Sequence, residues 1–332
     1  MRKIFVFAVL PLLLLSCSVT ENSSFSSERI TVGSGPEDML LDYSQANPRI
    51  LISCAARRDT QSPFGEIVSY TPATGKIDTL IRTSFPDSLH FQPHGIFLDS
   101  LSNPPLLFAI SHEDDDRFHP VYIWEIHGDT LIYRELAYSP LVHSPNALVL
   151  GENGEIYIVN DSGKRGSIME KAVKLNRANI VRMDRESKNV WKGEIVAEKL
   201  GYPAGINRLG STLFVGDAVN HLLHIYEIRN QELIKKEPLK GLKGNDNIRI
   251  IDGKLVLTGH VKPFKFISHT KSSENLSPVK AWQVDPENME IETLFSTDGS
   301  LISAGSTALL LNGYLYISQV FDPFLLKVEL PD

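Results

Sequence analysis

Apolar residues along this chain come in short runs, not at helical spacing. Ile67-Val68-Ser69-Tyr70, Val121-Tyr122-Ile123-Trp124, Ile156-Tyr157-Ile158-Val159 and Leu223-His224-Ile225-Tyr226 are examples, and Gly, Asn, Asp and Pro separate such runs. Short runs rich in β-branched and aromatic residues predict buried strands. Glu152-Asn153-Gly154-Glu155, Ile251-Asp252-Gly253-Lys254 and Leu311-Asn312-Gly313-Tyr314 each set a turn dipeptide between two apolar runs, which marks hairpins. One stretch departs from this pattern. Ser167–Ile180 spaces Ile168, Met169, Ala172, Val173, Leu175 and Ile180 among cations, and predicts a short amphipathic helix, either a lid or a surface insertion.

The runs repeat. The first polar positions of successive inner hairpins are Glu37, His94, Asn146, Gly205, Asp246 and Gly305, at intervals of 57, 52, 59, 41 and 59 residues. Each interval holds two hairpins. Six units of four strands predict an all-β, six-bladed propeller with four-stranded blades over residues 29–332. Two open sandwiches in tandem are the alternative, but they give no reason for six similar units. The last unit lacks room for its fourth strand, and Arg29-Ile30-Thr31-Val32 is placed to supply it.

The N-terminus changes the picture of where the fold works. Arg2 and Lys3 precede an apolar run, Ile4–Leu15, that is shorter than the roughly 20 residues of a membrane-spanning helix. This is the layout of a secretory signal, and Leu14-Leu15-Ser16-Cys17 resembles the lipobox of bacterial lipoproteins. The expectation is a signal peptide over 1–16, a lipidated Cys17 and a Ser-rich flexible tether to residue 28. Such a chain is anchored to a membrane of the bacterial cell envelope without spanning it. Cys54 is then the one cysteine left, so no intrachain disulfide is available. A net charge of −7 argues against a nucleic-acid partner.

In a propeller the starts of the inner strands converge at one end of the central channel. Here those positions carry Glu37 and Asp38, His94, Asn146, and Asp246 with Asn247. Carboxylates and amide oxygens without cysteine suit a hard cation, with calcium the natural candidate. The plainer alternative is a set of polar residues that hydrate the channel mouth. Other signals point nowhere specific. His112-Glu113-Asp114-Asp115-Asp116 and His119 read as a solvated acidic loop tip. Gly163-Lys164-Arg165-Gly166-Ser167 lacks P-loop spacing, and Ser144 has no GxSxG context. Trp124, Trp191 and Trp282 read as blade packing.

Several short pieces, in order, carry a resemblance. They are Gly35-Pro36-Glu37-Asp38, Gln92-Pro93-His94-Gly95-Ile96, Ser111-His112, Asn146 in PNALVLGENGEIYIVND, Gly205-Ile206-Asn207, Asp246-Asn247-Ile248, Gly259-His260 and Gly305-Ser306-Thr307. The chain is similar to the paraoxonase/arylesterase group of calcium-dependent lactonases, within the superfamily of gluconolactonases and strictosidine synthases. The resemblance implies that Glu37, Asn146, Asp246 and Asn247 hold a catalytic calcium. It implies that Asp38, with the backbone of Ile96, faces a second, structural calcium. His94 would be the general base, with His112 its partner, and His260 and Asp161 would lie near the active site. The implied substrate is a small lactone or aryl ester.

The departures matter as much. Ala204 stands where the family has an asparagine ligand, and Ala147 where it has an aspartate for the second calcium. The family's N-to-C disulfide is absent. These losses motivate a second reading, a non-enzymatic propeller that binds a ligand or protein over a decayed metal site.

Overall fold

A computed structural model describes residues 26–58, 65–113, 118–167, 170 and 174–331. The expected signal segment, Cys17, most of the expected tether and Asp114–Asp116 lie outside the described residues.

Six sheets stand in a ring. Their inner strands are Pro36–Asp42, Pro93–Asp99, Pro145–Leu150, Pro203–Leu209, Asn245–Ile251 and Gly305–Leu311. From each, the chain meanders outward through antiparallel neighbours, giving a six-bladed propeller of four-stranded blades. Two blades carry a short extra strand. Ile81–Thr83 pairs in parallel with the outer strand Thr130–Ala137, and Leu239–Lys240 joins Leu222–Arg229. The ring closes as the sequence suggests: Ser27–Thr31 pairs antiparallel with Phe324–Glu329 and becomes the fourth strand of the last blade.

The apolar runs are explained by what they face. Each blade packs on its two neighbours, so middle strands such as Arg49–Cys54 and Ile156–Asn160 are buried on both sides. Six apolar clusters result, one between each adjacent pair of blades. In one of them Phe85, Phe91, Tyr122, Trp124 and Tyr133 pack largely edge to face. Burying a large apolar side chain contributes about 1.5–3 kcal/mol, and these clusters carry the fold without a disulfide. Trp124 and Trp282 are core residues and Trp191 packs against a cluster, as expected. Cys54 is a free, buried thiol. The hairpin at Leu311–Tyr314 turns on Asn312 and Gly313, with φ of 52° and 79°, the pair of positive values a tight two-residue turn needs.

The helix expected over Ser167–Ile180 falls partly outside the described residues; Glu170 is helical and the C-terminal end is strand. Residues 168, 169 and 171–173 of the expected segment Ser167–Ile180 are outside the described residues, and Ala178–Ile180 opens the strand Ala178–Ser187. Ala178 and Ile180 pack in an interblade cluster, so their apolar character serves a sheet. A helix does form at Pro263–Lys271. Its sequence hides it, since Phe264 is 85% exposed and His269 is its buried residue. It is held from outside instead: Phe266 stacks on His260 at 4.0 Å, and His269 packs on Phe321. No helix among the described residues is long and apolar enough to cross a membrane.

Candidate active site

Every inner strand starts with the same irregularity. The register with the second strand slips after Pro36, Pro93, Pro145, Pro203, Asn245 and Gly305. The residues left out of the ladder are Glu37, His94 with Gly95, Asn146, Ala204, Asp246 with Asn247, and Ser306 with Thr307. A bulge frees a side chain from the alternation of the pleat and re-aims it. Here six bulges at equivalent places re-aim six sets of side chains at one end of the channel. The strands also approach closely there. A Cβ on Gly95 would come within 2.4 Å of the Asn146 carbonyl oxygen, so that position admits only glycine.

Glu37 is the centre of the first group. One carboxylate oxygen accepts from Arg57 Nε at 2.8 Å, and the other lies 2.9 Å from His94 Nε2. Burial pushes this carboxyl up, but the charges of His94 and Arg57 and their hydrogen bonds prevail and hold its pKa down at about 2. Arg57 Nη2 also donates to the Pro93 carbonyl at 2.9 Å, and Ser53 Oγ donates to the His94 carbonyl at 2.6 Å. The backbone of the His94 bulge is thus braced from the neighbouring blade.

His94 Nδ1 meets His112 Nε2 at 2.5 Å. His112 is buried, and its ring in turn meets His119 edge to face at 5.3 Å. Burial and the nearby charges of His94, Arg165 and Arg57 hold the His112 pKa well below its ordinary value, so the ring is neutral at pH 7. Arg165 reaches His119 at 3.0 Å, which brings the Gly163–Ser167 loop over this corner. Of the acidic tip expected at His112–Asp116, His112 and Glu113 are described, and both have partners. Glu113 accepts from Ser111 Oγ, Tyr122 Oη and the His90 amide.

Asp246 and His260 form a second group, 3.0 Å apart. Tyr202 connects the groups. Burial, then the carboxylates of Asp161, Asp246 and Glu37, push its phenol well above the usual range, and it hydrogen-bonds Asp161. Asp161 also accepts from Ser144 and Ser162. Asn247 is buried, and its Nδ2 donates to Ser306 Oγ at 3.2 Å and Thr307 Oγ1 at 3.0 Å. Its Oδ1 has no partner among the described residues. Asn146 sits buried on its own bulge.

Asp38 stands apart from this set. Its Oδ2 accepts from the Ile96 amide, and its Oδ1 accepts from the Met39 amide, Thr307 Oγ1 and the guanidinium of Arg249. Ala204 occupies the fourth bulge with a methyl group. Three residues of this architecture were not evident from the pattern: Arg57, Tyr202 and Arg249. Tyr202 had a signal, since it precedes a strand-opening proline as Gln92 and Ser144 do.

The donor set suits a hard cation in part. Among the described residues no group of three His, Cys, Asp or Glu side chains is placed to hold a metal ion by itself. The bulges nonetheless carry two carboxylates, and a buried amide oxygen without a partner costs about 1–3 kcal/mol unless a donor or a cation meets it. Oxygen ligands of this kind fit calcium.

Solved structures match the ring over nearly its whole length. A gluconolactonase from Xanthomonas campestris is 13% identical, with 94% of each chain covered and a TM-score of 0.58. A PQQ-bound aldose sugar dehydrogenase from Streptomyces coelicolor is 12% identical, with 94% of this chain and 100% of that one covered and a TM-score of 0.53. A chain of a nidogen/laminin complex is 13% identical, with 81% and 93% covered and a TM-score of 0.51. At such identities the likeness is one of fold, and the fold hosts several functions. A comparison with curated protein sequences found no match. The family comparison is more specific: residues 67–328, most of the ring, match the arylesterase family, and the chain belongs to it.

Proposed function

We propose that this protein hydrolyses lactones or aryl esters at the bulge-lined channel mouth, with calcium bound by Glu37, Asn146, Asp246 and Asn247. Membership of the arylesterase family supports an ester or lactone hydrolase in general terms. The observation that carries the mechanism is the His94–His112 contact at 2.5 Å, with Glu37 against the other nitrogen of His94. Calcium, when bound, would polarise the substrate carbonyl and stabilise the oxyanion.

The chain's own residues do the rest. His94 is the outer ring of the pair and the general base, and its Nε2, 2.9 Å from Glu37 Oε1, is the nitrogen the attacking water must reach in place of that carboxylate. His94 donates its Nδ1 proton in a hydrogen bond to His112 Nε2, and His112, kept neutral by burial, holds His94 in the tautomer whose Nε2 is the basic nitrogen. Glu37, bound to Arg57, fixes the orientation of His94. Tyr202, hydrogen-bonded to Asp161, lies near Asp246 and Glu37.

Assays of the purified protein on phenyl acetate and on simple lactones, with calcium and with chelator, test this. Turnover that collapses on chelation and returns with calcium is the expected result. Turnover indifferent to chelation sinks the mechanism.

A second reading has its own observation: Ala204 offers no donor on its bulge. A propeller that only binds a ligand predicts no turnover at all, and Glu37→Gln and His94→Gln variants that bind as the native protein does.

The same proposal includes location. Cys17 carries lipid and tethers the ring to a membrane of the bacterial envelope. Labelled palmitate should enter the native chain and not Cys17→Ser, and absence of label from both would reject the anchor.

A further inference from the structure

The sequence resemblance implies a second, structural calcium at Asp38. The residues around Asp38 do not fit one. Arg249, which follows Ile248 on the inner strand of the fifth blade, points its guanidinium at the same oxygens. Its Nε donates to the Met39 carbonyl at 2.7 Å and its Nη1 to the Ile248 carbonyl at 3.1 Å. Its Nη2 donates to Asp38 Oδ1 and reaches the Ile96 carbonyl at 3.4 Å. Met39 lies on the first blade, Ile96 on the second and Ile248 on the fifth. One side chain therefore ties three blades together at the axis.

We propose that the Arg249 guanidinium is this protein's built-in hub cation, standing in the place of the structural calcium. The inference does not rest on the catalytic reading. Three arguments support it. The first is space. Calcium needs six to eight oxygens at 2.3–2.6 Å. Here a carboxylate and three carbonyls lie at hydrogen-bonding distance from nitrogen donors, with Arg249 only 8% and Asp38 1% exposed.

The second is charge. A dication is balanced by two carboxylates, and a guanidinium by one. Asp38 is the one carboxylate bonded here, and Ala147, the position the resemblance assigns to a second, packs in an apolar cluster. One guanidinium and one carboxylate thus balance here without a second acid.

The third is saturation. Asp38 Oδ1 already accepts from the Met39 amide at 2.9 Å, Thr307 Oγ1 at 2.9 Å and Arg249, while Oδ2 accepts from the Ile96 amide at 2.8 Å. A buried pair of this kind holds only if its remaining donors and acceptors are satisfied, and these are. Lysine would not serve, because a point charge lacks the planar fork that reaches several acceptors at once.

Equilibrium dialysis of the purified native chain against calcium decides the matter, with metal counted per chain. The native protein should bind no more than one calcium, and Asp38→Asn should leave that number unchanged. Combining Arg249→Ala with Ala147→Asp restores two carboxylates and opens the space. That variant should bind one calcium more than the native chain and gain a calcium-dependent rise in melting temperature. Two calcium ions on the native chain, or the loss of one in Asp38→Asn, would overturn the proposal. So would a folded double variant that binds no more than the native chain. Should the double variant not fold, the native and Asp38→Asn counts still decide. A native count of zero would reject the catalytic calcium while supporting the guanidinium hub, so the two readings fail separately.

Discussion

His94 and His112 meet at 2.5 Å between Nδ1 and Nε2, with ring planes 84° apart. The contact is built by one blade. His94 lies on the bulge that opens the inner strand, and His112 directly follows the second strand, Leu106–Ser111. The His112 amide donates to the Gln92 carbonyl at 3.0 Å, which closes the hairpin end and sets the two rings face to edge. Neither histidine would be aimed at the other in an unbroken ladder. The bulge makes the pair.

Replacing either ring separates base from partner. His94→Gln should lower kcat at least about 10²-fold, the usual contribution of a positioned base. His112→Gln leaves a base without the neutral ring that accepts its Nδ1 hydrogen bond, so kcat should fall less and the acidic limb of the pH–rate profile should move. KM should change little in both. Steady-state kinetics on one lactone across pH checks this, and equal loss of kcat with an unmoved profile in His112→Gln would count against the pairing of the two rings.

Arg57 competes with any cation for Glu37. Its Nε sits 2.8 Å from the carboxylate, and a like charge at such range opposes a dication. Arg57→Gln should therefore tighten calcium binding about tenfold, even though it loosens the Pro93 carbonyl it also holds. Calorimetric titration of native and variant protein reads the difference. Weaker binding in the variant would mean that Arg57 organises the ligands and does not oppose the metal.

The strands, their six-fold recurrence and the closing strand at Arg29–Val32 were legible because burial on both faces writes itself as short apolar runs. The inner-strand positions were legible too, since polar residues recurred where apolar ones were due. What stayed hidden was contact. Arg57, which bonds Glu37, lies in the irregular chain after the strand Arg49–Cys54, which no periodicity describes, and Arg249 lies 211 residues from the Asp38 it bonds. The bulges themselves leave no mark beyond Pro or Gly at some of the strand starts. The helix at Pro263–Lys271 was missed because its stabilising surface belongs to His260 and Phe321 and not to its own apolar stripe.

Ring closure concentrates stability in one short strand. Ile30 is the buried residue of Ser27–Thr31 and packs with Tyr316 and Leu325, while Arg29 donates to the Ser300 and Leu301 carbonyls. Ile30→Ala should cost about 2–4 kcal/mol, the range for emptying a buried aliphatic site. Denaturant unfolding measures it. A loss below 1 kcal/mol would mean that the ring holds without this strand.

Acid should weaken the fold in two stages. His112 is kept neutral by burial and by the charges of His94, Arg165, Arg57 and His119, so its folded pKa is well below the 6.5 of the free side chain. The unfolded chain then binds more protons than the folded one below pH 6.5, and stability must fall as pH drops through that value. Asp217 acts lower down. Burial would raise its pKa, but His224, the Gly201 amide and Asn220 hydrogen-bond its carboxylate and hold it far below the ordinary 3.8. Its stabilisation is full above 3.8 and drains away as pH falls further. Melting temperatures from pH 8 to pH 3 should show both descents. His112→Gln should lessen the first, which His221 and His269 share through their own lowered pKa values, and keep the second; Asp217→Asn should lessen the second, which Glu37 shares, and keep the first. If His112→Gln melts with the native slope between pH 6.5 and 5, a different group titrates there and the neutral His112 partner must be abandoned.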